Sequence, residues 1–141
     1  MVLIQEVENN SPHLIMLYQW FDSEWDDVEP LASIKDGQVI PNPIIALRDG
    51  ELVGGLVFTR FLSPMTKEQA VWINAVFIKR DARKQGISSQ LINHAETLVK
   101  AMGEPELLVF TQIPTLYSKL NWQLIETQDD HFVLKSSLLS S

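Results

Sequence analysis

The sequence predicts one α/β domain in which a mixed sheet of about six or seven strands is flanked by helices on both faces. Three observations support this prediction. Short apolar runs of strand length recur along the chain, a long amphipathic helix follows the most apolar of them, and glycine and proline signals separate the runs. The length of 141 residues is typical of a single domain, so residues 1–141 are expected to fold as one unit.

The N-terminal third begins with a strand and a helix. Residues 2–7 have the composition of a short strand. A helix is predicted over residues 11–25, because Ser11 is a suitable N-cap, Pro12 suits the first helical position, and apolar residues follow at helical spacing. The next stretch is acidic and rich in helix breakers, with room for a second short helix between Glu29 and Lys35.

Asp49 and Gly50 give the clearest local signal. They separate the apolar runs 44–47 and 52–58, and Asp-Gly between two such runs predicts a hairpin turn, because glycine tolerates positive φ. The run over residues 70–78 is almost continuously apolar, which is typical of a strand that is buried on both faces.

The second half of the chain alternates between helix and strand signals. Residues 87–102 carry one apolar stripe at helical spacing, and Gly103 ends this helix. The remaining predicted elements are a strand at 107–110, a short helix at 114–120, and strands at 122–125 and 131–134. This order of elements favours a mixed sheet with helices on both faces.

All of the excess negative charge lies in the first third of the chain. The net charge is −7, and residues 1–41 contain eight acidic residues and one basic residue. Residues 42–141 contain ten of each sign. Such a chain is a poor candidate for nucleic-acid binding, because phosphate contacts need cations. The acidic region is either a solvated surface or a face that attracts a cationic partner.

The absence of cysteine excludes disulfides, thiolate metal sites and a cysteine nucleophile. The three histidines, His13, His94 and His131, are isolated in the sequence and lack metal-ligand spacing, so no metal is expected. The N-terminus lacks the pattern of a signal peptide, and no apolar run approaches the roughly 20 residues of a membrane span. We therefore expect a cytoplasmic protein that does not associate with a membrane.

The segment that precedes the long helix has the pattern most typical of a binding site. Its basic residues are Lys79, Arg80, Arg83 and Lys84. Gly86 then opens the helix, and helix N-termini present unpaired N–H groups that favour anions. Glycine also allows close approach of a ligand to the backbone. Phosphate binding is one interpretation, and an ordinary charged surface loop is the other. The segment matches neither the P-loop nor the dinucleotide fingerprint.

Arg83-x-x-Gly86-x-Ser88 resembles the pyrophosphate loop of the GNAT acyltransferase superfamily, which is written Arg/Gln-x-x-Gly-x-Gly/Ala. Downstream, residues 117–122 (Tyr-Ser-Lys-Leu-Asn-Trp) resemble the family's Tyr-x-Lys-x-Gly-Phe. Two positions depart from the family pattern. Ser88 is small and has a hydroxyl that can donate to a phosphate, and Asn121 is the residue after glycine that best tolerates a left-handed turn.

The resemblance covers residues 44–125 and, for the N-terminal third, the order of elements. It implies the GNAT acyl-CoA N-acyltransferase fold, with a mostly antiparallel central sheet, and acetyl-CoA as a cosubstrate without a metal. It also implies that backbone groups of the fourth strand pair with the pantetheine arm, that one of their N–H groups polarises the thioester carbonyl, and that N–H groups of the loop hold the pyrophosphate. The implied cofactor-binding residues are Val76, Phe77, Ile78, Arg83, Lys84, Gln85, Gly86, Ile87, Ser88 and Ser89.

Tyr117 and Asn74 are the candidate catalytic residues. By the resemblance, Tyr117 protonates the departing CoA thiolate, and the alternative is that its ring packs against the cofactor or the core. Many members of the family carry a glutamate on the fourth strand, but residues 70–78 contain no carboxylate. Asn74, the only polar residue of that run, is expected to orient a water molecule or the amine. The substitute base is expected to be one of three acids, each of which is otherwise a surface charge: Glu24, Asp26 and Asp27.

The resemblance implies an N-acetyltransferase that moves the acetyl group of acetyl-CoA to a primary amine by direct attack in a ternary complex. The acceptor is expected to be an amine-bearing small molecule or peptide, and the acidic first third favours a cationic one. Tyr18, Trp20 and Trp25 form either an aromatic mouth for such an amine or the core packing of a helix. The alternative function is a catalytically silent acyl-CoA-binding protein that regulates a partner. A monomer or a homodimer is expected, with neither nucleic acid nor membrane as a partner.

Overall fold

The structure is a computed structural model, and it describes residues 2–8, 11–24, 41–83 and 85–137. The strands are β1 (Val2–Glu6), β2 (Ile44–Arg48), β3 (Glu51–Leu62), β4 (Gln69–Ile78), β5 (Glu106–Thr111), β6 (Gln123–Gln128) and β7 (His131–Ser137). The helices are α1 (Pro12–Glu24), α2 (Ile87–Ala101) and α3 (Pro114–Ser118). The short helix predicted between residues 29 and 35 lies outside the described residues.

One sheet contains the seven described strands in the order β1-β2-β3-β4-β5-β7-β6. Each pair of neighbours is antiparallel except β4 and β5, which are parallel and are joined through α2. A parallel pair needs a long crossover, and an amphipathic helix is the usual one. The prediction of a mixed, mostly antiparallel sheet of six or seven strands with flanking helices is confirmed.

The hairpin predicted at Asp49 and Gly50 joins β2 to β3. Both residues have positive φ, 55° and 82°, which a two-residue turn of type I′ requires. β3 continues to Leu62, beyond its predicted end, because it stays paired with β4 as far as the pair Leu62–Gln69. Pairing with β4 therefore decides where β3 ends, and the sequence of β3 alone does not show this end.

Two hydrophobic layers cover the opposite faces of the sheet. α2 packs its buried side chains, among them Leu91 and Ile92, in one cluster with Ile44 and Ala46 of β2. α1 packs in a separate cluster with Ile45, the residue between them. Because side chains alternate along a strand, the two helices lie on opposite faces, which are called here the α2 face and the α1 face.

α1 lies close against β3 because β3 has a glycine at the contact. A Cβ atom on Gly55 would lie 2.5 Å from Leu17 Cδ2 and 3.2 Å from the Ile44 carbonyl oxygen. Leu17 is fully buried, so its side chain has little room to move away. The absence of a side chain at Gly55 therefore sets the distance between α1 and the sheet.

The C-terminal half of the sheet has its own small layer on the α1 face. This cluster includes Trp72, Leu108 and Val133. Leu108 lies between Leu107 and Val109, whose side chains are on the α2 face, so its own side chain is on the α1 face. On the α2 face, Tyr117 of α3 joins the same cluster as α2. Among the described residues, no helix combines the length and the apolar character needed to cross a membrane.

Candidate functional site

β4 and β5 part from each other before either strand ends. Their parallel pairing covers three positions and stops at Ile73 and Val109. Beyond these residues, within the described chain, β4 continues to pair with β3 and β5 continues to pair with β7. A cleft therefore opens between the C-terminal ends of two neighbouring strands, and an extended ligand can add to a strand edge of this kind.

Asn74 lies where the strands part and is the extra residue of a β-bulge. Val57 of β3 pairs with Ala75, and the next residue, Phe58, pairs with Ile73, so Asn74 has no register partner on β3. Its side chain is exposed within an otherwise apolar strand. A bulge bends its strand and redirects side chains. The prediction of burial on both faces is therefore wrong at this residue.

The register of β4 shows which of its backbone groups face the cleft. The Lys79 N–H donates to the Val53 carbonyl oxygen at 2.7 Å, so these two residues form a hydrogen-bonded pair. Such pairs alternate along an antiparallel ladder, and the next one contains Phe77. The N–H and C=O groups of Phe77 thus point to β3, while those of Val76 and Ile78 point to the cleft. Of the three predicted residues, Val76 and Ile78 offer backbone groups to a ligand there.

Arg83 ties the end of β4 to the loop that follows. Its Nε donates to the Ile78 carbonyl oxygen at 2.9 Å, and its guanidinium carbon lies 5.7 Å from the centre of the Phe77 ring. The Phe77 ring also contacts Trp20 of α1, with 5.3 Å between ring centres. Arg83 therefore fixes the geometry of the loop, and Phe77 links the loop to α1.

The loop ends at Gly86, which is the N-cap of α2. Gly86 has a φ of 77° and no side-chain cap, and a Cβ atom placed on it would meet no protein atom within 4 Å. The N–H groups of Ile87, Ser88 and Ser89 have no acceptor inside the helix, since the first intrahelical donor is Gln90. This end of α2 therefore presents open space, free N–H groups and the positive end of the helix dipole.

A second contact supports the loop from its other side. Arg48, at the end of β2, donates from Nη1 to Gln85 Oε1 at 2.8 Å, and Gln85 Nε2 lies 3.5 Å from the Asp81 carbonyl oxygen. Gln85 is exposed, and its side chain links Arg48 of β2 to Asp81 near the start of the loop. The predicted residue Lys84 lies outside the described residues.

Tyr117 is buried, with 3% of its surface exposed, and its ring lies edge-on to Trp122 with 5.0 Å between centres. Burial raises the pKa of the Tyr117 phenol well above its usual value, because the interior disfavours the phenolate. Within the described part of the chain, its hydroxyl donates no hydrogen bond to a protein group. The phenol is therefore protonated at neutral pH, and its raised pKa makes it a weaker proton donor than an exposed tyrosine. Asn121, which follows α3, has a φ of 69°, the left-handed turn expected of it.

The sequence matches the acetyltransferase (GNAT) family over residues 11–119. The chain therefore belongs to the GNAT acetyltransferase family. Comparison with curated protein sequences returned no match. The predicted membership of the GNAT superfamily is thus confirmed.

Solved GNAT structures share the fold across the whole chain. An aminoglycoside 6′-N-acetyltransferase complexed with coenzyme A aligns with a TM-score of 0.75 at 14% identity, over 99% of this chain and 98% of the other. An aminoglycoside 6′-N-acetyltransferase from Enterococcus faecium aligns with a TM-score of 0.74 at 15% identity, over 99% and 98%. A GNAT family N-acetyltransferase from Escherichia coli in complex with CoA aligns with a TM-score of 0.73 at 16% identity, over 98% and 82%.

Family membership supports an acyl-CoA-dependent acyltransferase, and the structure brings most of the predicted GNAT site together. Val76, Ile78, Arg83 and the start of α2 surround the end of β4 near the cleft, whereas Tyr117 lies in the layer on the α2 face. In the described part of the chain, no three histidine, aspartate or glutamate side chains are grouped so as to hold a metal.

Two sets of side-chain contacts were missed in the sequence. The first is the contact of Arg48 with the loop, which has no sequence signal because the residues are 37 positions apart. The second is the pair of contacts that His131 makes with Asp130 and Phe110, so this histidine is not isolated. The acids at the end of α1 give no further information, because the side chain of Glu24 and the whole of Asp26 and Asp27 lie outside the described part.

Proposed function

We propose that this GNAT protein transfers the acetyl group of acetyl-CoA to a primary amine by direct attack in a ternary complex. The observation that carries the proposal is the cleft between β4 and β5, with the backbone of Val76 directed into it and the N-terminus of α2 beside it. The cleft suits an extended arm with amide groups, and the helix terminus suits a pyrophosphate. Acetyl-CoA carries both chemical groups in one molecule.

The proposed reaction uses few protein groups. In this proposal the Val76 N–H, which is directed to the cleft, donates to the thioester oxygen and stabilises the negative charge that develops there. The amine attacks the carbonyl carbon, the C–S bond breaks, and the thiolate takes a proton from the Tyr117 hydroxyl. The nitrogen loses one proton as the amide forms, and a proton taken back through solvent restores the Tyr117 phenol. Asn74, at the bulge, lies where β4 and β5 part and orients the amine or a water molecule. Amine and acetyl-CoA are thus converted to amide and CoA thiol, and no acyl-enzyme is formed.

The acceptor is proposed to be a cationic amine. The support is the net charge of −7 carried by residues 1–41, which lowers the energy of a cation near the surface. Aminoglycosides are acted on by two of the structurally similar proteins, as their names state, and they are polyamines.

Calorimetry with CoA and with pantetheine tests the cofactor site. We expect CoA to bind and pantetheine, which lacks the phosphates, to bind at least about tenfold more weakly, because the N-terminus of α2 contributes only to phosphate binding. Gly86→Val is expected to abolish CoA binding, since it places a branched side chain in the open space at the helix terminus.

Gly103→Val is the matched control for Gly86→Val. Gly103 lies just past the other end of α2, also has positive φ (85°), and also has no protein atom within 4 Å of the position that a Cβ would occupy. Both substitutions therefore carry similar backbone strain, but only Gly86 adjoins the loop. Equal affinity for CoA and pantetheine, or equal loss in both variants, would contradict the placement of the pyrophosphate.

A catalytically silent acyl-CoA-binding protein is the second candidate, and the observation that favours it is the lack of a carboxylate on β4. Release of CoA thiol from acetyl-CoA distinguishes the two functions. An acetyltransferase releases thiol in the presence of a suitable amine and yields an amide that mass spectrometry identifies. A protein that binds CoA and acetylates none of spermidine, kanamycin A or a lysine peptide supports the silent function.

A further inference from the structure

The C-terminal hairpin places a histidine against the first residue of β5 beyond its pairing with β4. Val109 is the last β5 residue paired with β4, and the next residue, Phe110, pairs with Val133 of β7. The Val109 side chain lies on the α2 face. Because successive side chains of a strand point to opposite faces, the Phe110 side chain lies on the α1 face. His131 is two positions from Val133 and lies on the same face. The histidine ring stacks on Phe110, with 4.5 Å between ring centres and 14° between the planes.

A hydrogen-bonded carboxylate holds this histidine. His131 Nδ1 lies 2.9 Å from Asp130 Oδ1, and Gln112 Nε2 donates to the other oxygen, Asp130 Oδ2, at 2.9 Å. Desolvation acts to raise the pKa of Asp130, but the hydrogen bonds from His131 and Gln112 outweigh it and leave that pKa lowered. The carboxylate is therefore ionised at neutral pH and fixes the ring with Nδ1–H toward Asp130. In that tautomer Nε2 is the free acceptor.

The surroundings of the ring suit a proton acceptor. Among the described residues, Asp130 on the same turn contacts the ring, and Glu126 on β6 has as its register partner Val133, which lies on the same face as His131. Lys135, farther along this face of β7, lies 4.0 Å from Glu106. Glu126 accepts a hydrogen bond from Gln128 at 2.6 Å. Asp130 and Glu126 are both acidic, so neither adds positive charge beside the ring. About a third of the His131 side chain is exposed, so the ring is accessible from solvent.

We propose that His131 is the general base of the acetyl transfer, and that Asp130 positions it. This inference rests on the proposed function. His131 Nε2 takes one proton from the acceptor ammonium, directly or through one bridging water, and the neutral amine then attacks the thioester. The imidazolium returns that proton to solvent after the product leaves. Tyr117 protonates the thiolate separately, and the second proton that the nitrogen loses as the amide forms restores the Tyr117 phenol through solvent. The proposal supplies the base that β4 lacks, from the other side of the cleft.

Steady-state kinetics of three histidine variants test the proposal, with spermidine, kanamycin A and a lysine peptide as acceptors. We expect His131→Gln to lower kcat/KM by about 10²-fold or more, the contribution of a general base, with unchanged CoA affinity. His94→Gln is the control, because His94 is a partly buried histidine on α2 and takes no part in the mechanism. In His131→Ala, added imidazole is expected to restore activity, which it cannot do for a residue with only a structural role.

Asp130 is tested as a positioning residue. Asp130→Asn is expected to lower kcat with little change in the acceptor KM, and Asp130→Glu to restore most of the loss, because a carboxylate can again hold Nδ1–H. Active transfer in His131→Gln at the wild-type rate, or no rescue of His131→Ala by imidazole, overturns the role of His131 and leaves the proposed function intact. A wild-type protein that binds CoA but neither acetylates these amines nor hydrolyses acetyl-CoA overturns both proposals.

Discussion

Burial sets the chemistry that is available to Tyr117. Its phenol lies beside the Trp122 ring in the layer between the sheet, α2 and α3, and the indole Nε1–H of Trp122 is buried without a hydrogen-bond partner in the described structure. A buried phenol stays protonated at neutral pH, but its raised pKa makes it a weaker proton donor to a departing thiolate than an exposed tyrosine would be. The same burial is also compatible with simple packing, so the role of the hydroxyl is decided by substitution.

Tyr117→Phe removes the hydroxyl and keeps the ring. If the hydroxyl protonates the thiolate, kcat is expected to fall by about 10²–10⁴-fold while calorimetry shows unchanged CoA affinity. Trp122→Phe is the control, because it disturbs the same ring pair and leaves the hydroxyl in place. A loss well under tenfold in Tyr117→Phe, or an equal loss in both variants, would assign Tyr117 to packing.

The raised pKa of Tyr117 also predicts a pH dependence of stability. An unfolded tyrosine ionises near a pKa of about 10, whereas the folded one ionises at higher pH. The burial of Tyr117 therefore contributes stability in full below about pH 10, and this contribution is lost as the pH rises further. The free energy of unfolding is measured with urea at pH 8 and at pH 11. Its decrease between the two pH values is expected to be smaller for Tyr117→Phe than for the wild type.

At the scale of elements, the packing of α1 on β3 depends on one missing side chain. Leu17 occupies the space that a Cβ atom on Gly55 would need, and the Ile44 carbonyl closes the other side. α1 also carries Trp20, which contacts Phe77 at the end of β4. The position of α1 therefore affects both the stability of the domain and the α1 side of the cleft.

Gly55→Ala is expected to destabilise the protein by about 1–3 kcal/mol, because it overpacks a buried contact. Leu17→Ala alone should cost about 2–5 kcal/mol through the cavity that it leaves. In the double variant the new methyl group occupies part of that cavity, so the combined loss should be clearly smaller than the sum. Additive free energies of unfolding, measured with urea, would show that Gly55 and Leu17 are not coupled.

At the scale of the whole molecule, charge is distributed unevenly between the acidic first third and the electrically neutral remainder. The neutral remainder contains the basic loop that is proposed to hold an anionic cosubstrate. Such a separation lets one protein attract an anion at the loop and a cation at the acidic region, since exposed charges interact mainly within about 10 Å at physiological salt.

The association of a polycationic acceptor is therefore expected to depend on salt. Between about 50 and 200 mM NaCl, the KM of spermidine should rise more steeply than that of the monoamine butylamine, because screening weakens each favourable charge interaction. CoA affinity is measured at the same salt concentrations, so that a salt effect on cosubstrate binding can be distinguished from one on the amine KM. Equal slopes for both amines, or turnover of neutral acceptors alone, would contradict a cationic substrate.

Several elements of this protein can be predicted from the sequence because their signals are local. The stripe of residues 87–102 predicts α2, Asp49-Gly50 predicts the hairpin, and the basic segment that ends at Gly86 predicts an anion site at the helix N-terminus. Helical periodicity, turn conformation and the helix dipole act over a few residues, so a short stretch of sequence contains all that decides them.

The places where these parts meet follow from the tertiary structure alone. The bulge at Asn74 and the parting of β4 from β5 depend on the register with β3 and β7, which residues far away in the sequence fix. The burial of Tyr117 depends on the packing of α3 against the sheet, and His131 reaches Phe110 only because β7 lies next to β5. Side-chain identity is local information, but the pKa, the exposed fraction and the neighbours of a side chain are properties of the assembled fold.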